Sequence, residues 1–286
     1  MKRILVPTDF SSCAKNAADV AIKITEMVGG EIHFIHYMSI PIDWVKMELV
    51  RKKFYPDVSK EVIGARSELN QLVKMAENKG VEAKYYIAYN ESTSNVITQI
   101  KEKDITLVVI GSHGASGMRE LFIGSNAQKI VRLSPVPTLV VKNKVESIKK
   151  PNLIFVSDFE KESMAPFRKT LEFARLLDAN IKLVYINTPM YFSDTWEIKE
   201  KMYSFSLVGG NLVSSEQIVD AHIFEEGLKK YCQSNENNIV VMATHGRTGI
   251  SRVFYGSLTE KVINHMDHPV LSFKIQNLPI LQFAAY

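Results

Sequence analysis

A chain of 286 residues is about twice the common length of a single domain, so two domains of roughly 140 residues each are expected. Apolar residues make up 46% and charged residues 23%, with 14 Gly and 10 Pro, which excludes a collagenous, low-complexity or disordered chain. The 35 Lys+Arg against 31 Asp+Glu leave a net charge of +4 scattered without a basic stripe, so no nucleic-acid partner is expected.

The first element is a short apolar strand, Arg3 to Val6, which turns polar at Pro7-Thr8-Asp9, far short of a signal-peptide core. No later apolar run reaches the length of a bilayer span, so the expectation is a cytoplasmic protein with no membrane partner. Ala14, Ala17, Ala21, Ile24 and Val28 then recur at helical spacing, with Ser11 or Ser12 as N-cap and Gly29-Gly30 as the stop. Strands over Glu31 to Tyr37 and Ala83 to Ala88 flank a helix from Glu61 to Lys79 that ends at Gly80. A fourth strand, Thr106 to Ile110, runs into Gly111-Ser112-His113-Gly114; a helical run from Gly124-Ser125-Asn126 to Leu133 and a strand over Thr138 to Val141 complete the series. Near-continuous apolar strands alternating with amphipathic helices give a right-handed βαβ succession and a doubly wound parallel sheet.

A polar connector, Lys142 to Pro151, precedes a second copy of the same pattern. Thr8-Asp9-Phe10 lies over Ser157-Asp158-Phe159, and Ile32 to Tyr37 over Ile181 to Ile186, at an offset of 149. Leu107 to Gly114 lies over Ile239 to Gly246 at an offset of 132, which then carries Gly124-Ser125 onto Gly256-Ser257 and Pro137 to Val140 onto Pro269 to Ser272. The second copy has therefore lost 17 residues in its middle, and the two domains are expected over 1–146 and 147–286.

Open parallel sheets bind ligands outside the carboxyl ends of their strands, where neighbouring loops diverge. The loops there are Pro7-Thr8-Asp9 with the Gly114 and Gly124 turns, and in the second copy Ser157-Asp158 with Gly246 and Gly256-Ser257. Gly114 and Gly124 lack Cβ atoms and admit a phosphate close to backbone amides, while Ser125 and Asn126 sit where a helix exposes unpaired N–H groups. Asp9 is suited to ribose hydroxyls, an adenine amine or Mg²⁺; as a cap on the following helix it has an equally good structural use, and the same holds for Asp158. Cys13 and Cys232 read as packing residues. His113 and His245 read as loop braces, since no nucleophile or orienting carboxylate is placed beside them. His33 and His36 fall on opposite faces of a strand, and His265-Met266-Asp267-His268 recruits no further ligand, so neither a metal site nor a catalytic residue is assigned.

At this point the sequence resembles the ATP-binding members of the universal stress protein family. The resemblance rests on Gly-x-x-Gly, nine residues, Gly-Ser downstream of a strand ending in Pro-Thr-Asp, and it covers both copies as a tandem form. It implies two doubly wound five-stranded parallel sheets of order 3-2-1-4-5, paired through their last strands as a pseudo-dimer. It also implies an adenine nucleotide site, for ATP or AMP with or without Mg²⁺. That site is lined by Pro7, Thr8, Asp9, Tyr37, Gly111, Gly114, Gly124, Ser125 and Asn126, and in the second copy by Ser157, Asp158, Ile186, Gly246, Arg247, Gly256 and Ser257. The second copy departs where Ala243 replaces the first motif glycine and Val156 the proline. The first departs at Tyr37, which either stacks on a base or fills its pocket. The implied activity is a stress-response sensor or regulator with a protein partner of unstated kind, as a single chain or a further homodimer. The alternatives are a slow Mg-dependent ATPase and a structural or interaction protein that has lost its ligands.

Overall fold

The computed structural model describes residues 2–40, 44, 46–90, 94–112, 124–233, 237–245 and 255–275. In the first half, β1 (Arg3–Pro7), α1 (Ser12–Val28), β2 (Glu31–Met38), the short α2 (Leu49–Lys52) and α3 (Pro56–Glu77) come first. They are followed by β3 (Glu82–Tyr89), α4 (Ser94–Glu102), β4 (Leu107–Gly111), α5 (Ser125–Leu133) and β5 (Thr138–Val141). The second half repeats the succession as β6 (Asn152–Val156), α6 (Met164–Leu177), β7 (Asn180–Asn187), α7 (Thr195–Gly209) and β8 (Val213–Asp220). It closes with α8 (Phe224–Cys232), β9 (Asn238–His245), α9 (Tyr255–His265) and β10 (Val270–Ile275). The residues missing from the second copy fall between β7 and β8, where α2 has no counterpart and α7 has 15 residues against 22 in α3.

Local signals set these bounds. The Ser11 hydroxyl caps α1 by accepting from the Ala14 N–H at 3.2 Å, and Gly29, at φ 74°, ends it with its N–H on Thr25 O. Helix α3 starts at Pro56, earlier than apolar periodicity foretells, because its first turn faces solvent and proline suits the first helical position.

The strands form one ten-stranded sheet of order β3-β2-β1-β4-β5-β10-β9-β6-β7-β8. Each half is thus a five-stranded parallel sheet of order 3-2-1-4-5, and the two are fused by the antiparallel pair β5–β10. In that pair Leu139 faces Leu271 while Val140 faces Val270 and Thr138 faces Ser272. The offset of 132 carries Leu139 onto Leu271, so a pseudo-twofold axis passes between them and the contact is isologous. Gln128 of α5 donates to Glu260 of α9 at 2.6 Å, and these two positions are also equivalents at that offset.

Strand residues alternate between two apolar layers. Ile4, Val6, Phe34 and Phe155 face a layer covered by α1, α3, α6 and α7, while Leu5, Ile35, Val156 and Ile186 face a layer covered by α4, α5, α8 and α9. Each layer is continuous across both halves. The connector is docked rather than free: Ile148 is 3% exposed in the first layer, and the Lys23 ammonium donates to Val145 O at 2.5 Å.

Candidate functional site

The first loop at the carboxyl edge is built alike in both halves. The Thr8 N–H donates to Ile35 O at 2.8 Å, the Thr8 hydroxyl accepts from the Phe10 N–H, and Asp9 Oδ1 accepts from the Ser11 N–H at 3.1 Å. In the second half the Ser157 hydroxyl accepts from the Phe159 N–H, and Asp158 Oδ1 accepts from the Glu160 N–H at 3.2 Å and the Ser163 hydroxyl at 3.3 Å. Phe10 and Phe159 take φ of 66° and 57°, left-handed conformations that cost a non-glycine residue about 1 kcal/mol and that these bonds sustain. One oxygen of each aspartate therefore braces its turn. His36 approaches Thr8 O through Nδ1 at 2.8 Å; a carbonyl only accepts, so that nitrogen carries the proton.

The glycines serve different ends. A Cβ on Gly111 would lie 2.7 Å from the Cys13 carbonyl carbon and 2.8 Å from Ala14 N, so this glycine is required by the close passage of α1. Its equivalent, Ala243, lies outside the left-handed region and keeps its methyl where the second half opens with a 3-10 turn over Lys161–Ser163 ahead of α6. Gly124 takes an ordinary φ of −60° and caps α5 with no side-chain acceptor, leaving the first-turn N–H groups without that partner. Ser125 and Asn126 open α5, whereas Gly256 and Ser257 fall inside the first turn of α9, two positions further into the helix than their first-half equivalents. His113, Gly114, Gly246 and Arg247 lie outside the described residues, as do the turns that they belong to.

The second half holds a cavity of about 390 Å³ at the carboxyl ends of β6, β7, β8 and β9, beneath α8 and α9. Val156, Ser157, Asp158 and Ile186 line it, so the structure brings together the second-half residues expected from the loops after β6 and β7. Tyr185, Met190, Tyr191, Ile223, Phe224, Met242 and Leu258 add apolar wall, and Thr188, His222, Glu225 and Lys261 add polar groups. Lys261 Nζ stands 3.6 Å from Glu225 Oε1. Gly227 makes the wall tight, since a Cβ there would meet Ala221 Cβ at 2.5 Å and Ile186 Cγ2 at 3.2 Å. In the first half, Pro7 ends β1 within the sheet, and Tyr37 packs partly buried against the second apolar layer at the place equivalent to Ile186.

Sequence reasoning missed Thr188, His222, Phe224, Glu225, Met242, Leu258 and Lys261. Leu258 and Lys261 carried a signal, because the offset of 132 places Leu258 over Asn126, expected at the first-half site, and Lys261 over Lys129. Among the described residues no three His, Cys, Asp or Glu side chains gather to hold a metal ion. The His265 ring donates to Lys261 O at 2.8 Å, and Asp267 engages Lys229 and Asn143. Both cysteines are free thiols, and burial pushes that of Cys232 up to about 12. No helix among the described residues is long and apolar enough to cross a membrane.

A model of the universal stress protein family matches residues 1–142 and matches again at 151–274. The chain belongs to the universal stress protein family. The universal stress protein YxiE of Bacillus subtilis is 30% identical over 146 residues, which are 49% of this chain and 98% of that protein. One half of the present universal stress protein therefore corresponds to a whole relative. The universal stress protein Slr1230 of Synechocystis is 21% identical over 96% of this chain and 100% of its own length, which places the tandem form in a second protein. A universal stress protein structure from Archaeoglobus fulgidus superposes with a TM-score of 0.72 at 15% identity, covering 96% of this chain and 97% of that one. That likeness extends the fold across both halves.

Proposed function

We propose that this universal stress protein binds an adenine nucleotide, ATP or AMP, at the carboxyl edge of its sheet and acts in the stress response as a sensor or regulator. The observation that carries the reading is the second-half cavity, within the ~300–1,000 Å³ typical of small-ligand sites, with Ser157, Asp158 and Ile186 on its wall. The slot between Ile186, Met242 and Leu258 is apolar and suits a base. Asp158 lines the same space and keeps an oxygen beyond the one that braces its turn, which suits ribose hydroxyls or a phosphate-bound Mg²⁺. Helix α9 opens at the same edge, where the first-turn N–H groups favour phosphate.

Sensing is favoured over rapid turnover because the groups placed here position a ligand and hold it. Asp158 spends Oδ1 on several donors, an arrangement for orientation more than for moving a proton. Isothermal titration of the full chain with ATP tests the reading: saturable heat below millimolar ligand is expected, and its absence at millimolar ATP and AMP overturns it.

A further inference from the structure

The cavity contains a charged pair that the nucleotide motif does not include. Glu225, in the first turn of α8, lines the space and is only 9% exposed, while its ion-pair partner Lys261 reaches over from α9 and remains largely in solvent. A carboxylate so placed needs donors, and among the described residues its ion-pair partner is an ammonium at 3.6 Å, beyond hydrogen-bond length, which leaves acceptor capacity for a ligand. Phe224, Ile223 and Leu258 make the neighbouring wall apolar, so a planar ring seated there meets the Glu225 carboxylate at its edge. The offset of 132 sets Thr93 against Glu225, so the first copy has no acid at this position.

We infer that Glu225 selects the base in the second-half site by accepting a hydrogen bond from the exocyclic amine of adenine, with Lys261 alongside as donor to the adjacent ring nitrogen. Oxygen Oε1 faces Lys261, which leaves Oε2 for the ring. One acceptor beside one donor matches the edge of adenine, an amine next to a bare nitrogen; a purine without the amine leaves the carboxylate unmatched. The inference rests on the nucleotide reading above and specifies it. Glu225 is a specificity-determining residue and takes no part in any bond-breaking step.

The experiment compares ATP with the triphosphate of unsubstituted purine riboside, which lacks only the 6-amino group, and with GTP. Second-half binding is read as ligand-dependent protection from hydrogen exchange in peptides covering 220–232, so that first-half binding does not enter. Wild-type protein is expected to bind ATP about tenfold or more tighter than the purine analogue, the size of a hydrogen bond to a charged acceptor. In Glu225→Leu the two should bind alike. Glu225→Gln, which keeps a carbonyl acceptor, should restore part of the preference and shows that the cavity itself survives. An equal ATP-to-analogue ratio in wild type and Glu225→Leu, or tighter binding of GTP than ATP by wild type, overturns the role of Glu225 while leaving nucleotide binding intact. Protection by none of the three triphosphates overturns both readings.

Discussion

Gly111 and Ala243 occupy equivalent places at the ends of β4 and β9, yet they answer to different neighbours. Backbone atoms of Cys13 and Ala14 stand where a Cβ on Gly111 would go, and a helix backbone yields less readily than the tip of a side chain. Gly111→Ala is therefore expected to destabilise the protein by about 1–3 kcal/mol, the usual cost of overpacking, read as a lower urea midpoint at unchanged slope. The family resemblance implied a place for Gly111 at the ligand site, and the structure adds a second demand on it, the passage of α1 across β4. Spacing alone cannot separate those two demands, because both call for a residue without Cβ. Asp9 and Asp158 show the same overlap: each was legible as a residue of the carboxyl edge, and only the bond partners reveal that one oxygen of each is spent on the turn.

At the amino edge, away from the cavity, Glu31 of β2 joins β1 to β3. It accepts from Lys84 at 2.9 Å and from Arg3 at 2.5 Å, and lies 3.0 Å from the His33 ring. Lys84 chiefly, then Arg3 and His33, outweigh burial and hold the Glu31 carboxyl down at about 2. Because this lies below the unfolded value, the cluster stabilises the fold fully above about pH 5 and loses that contribution as pH falls toward 2. His33 shifts downward through burial, so it too resists protonation in the folded state and loses stability in the acid direction, below its ordinary value of 6.5. Glu31→Gln should thus be less stable than wild type at neutral pH, with the gap closing by about pH 2, as denaturant melts across that range would show. The strands themselves were readable, since continuous apolar runs mark burial on both faces. The ion cluster was not, because it depends on the register that sets Glu31 beside Arg3 on one side and Glu82 on the other.

Across the whole molecule, fusion of the halves at β5–β10 changes the unit of folding. Both apolar layers run through Leu139, Val140, Val270 and Leu271 into the opposite half, and Ile148 pins the connector into the first layer. Helices α1 and α6 pack on each other on one face, and Gln128 meets Glu260 on the other. The chain is therefore expected to melt in one cooperative transition, with a calorimetric enthalpy equal to the van't Hoff value; two resolved transitions would mean that each half stands alone. A homodimer of one-copy chains would set two identical residues together at the pseudo-dyad. The tandem chain instead places an amide against a carboxylate, a pairing open only to unlike halves.

The amino-acid sequence by itself determined the repeat and the alternation of strand and helix, which follow from periodicity and from short-range turn chemistry that neighbouring residues carry. The order of five strands in each half was what its resemblance to the universal stress protein family implied. Tertiary structure alone decided which described crevice stands open, why Gly111 has no side chain, and that Glu225 and Lys261 share the wall of a cavity. These depend on how closely α1, α8 and α9 approach the sheet, a distance set by packing between segments far apart in the chain.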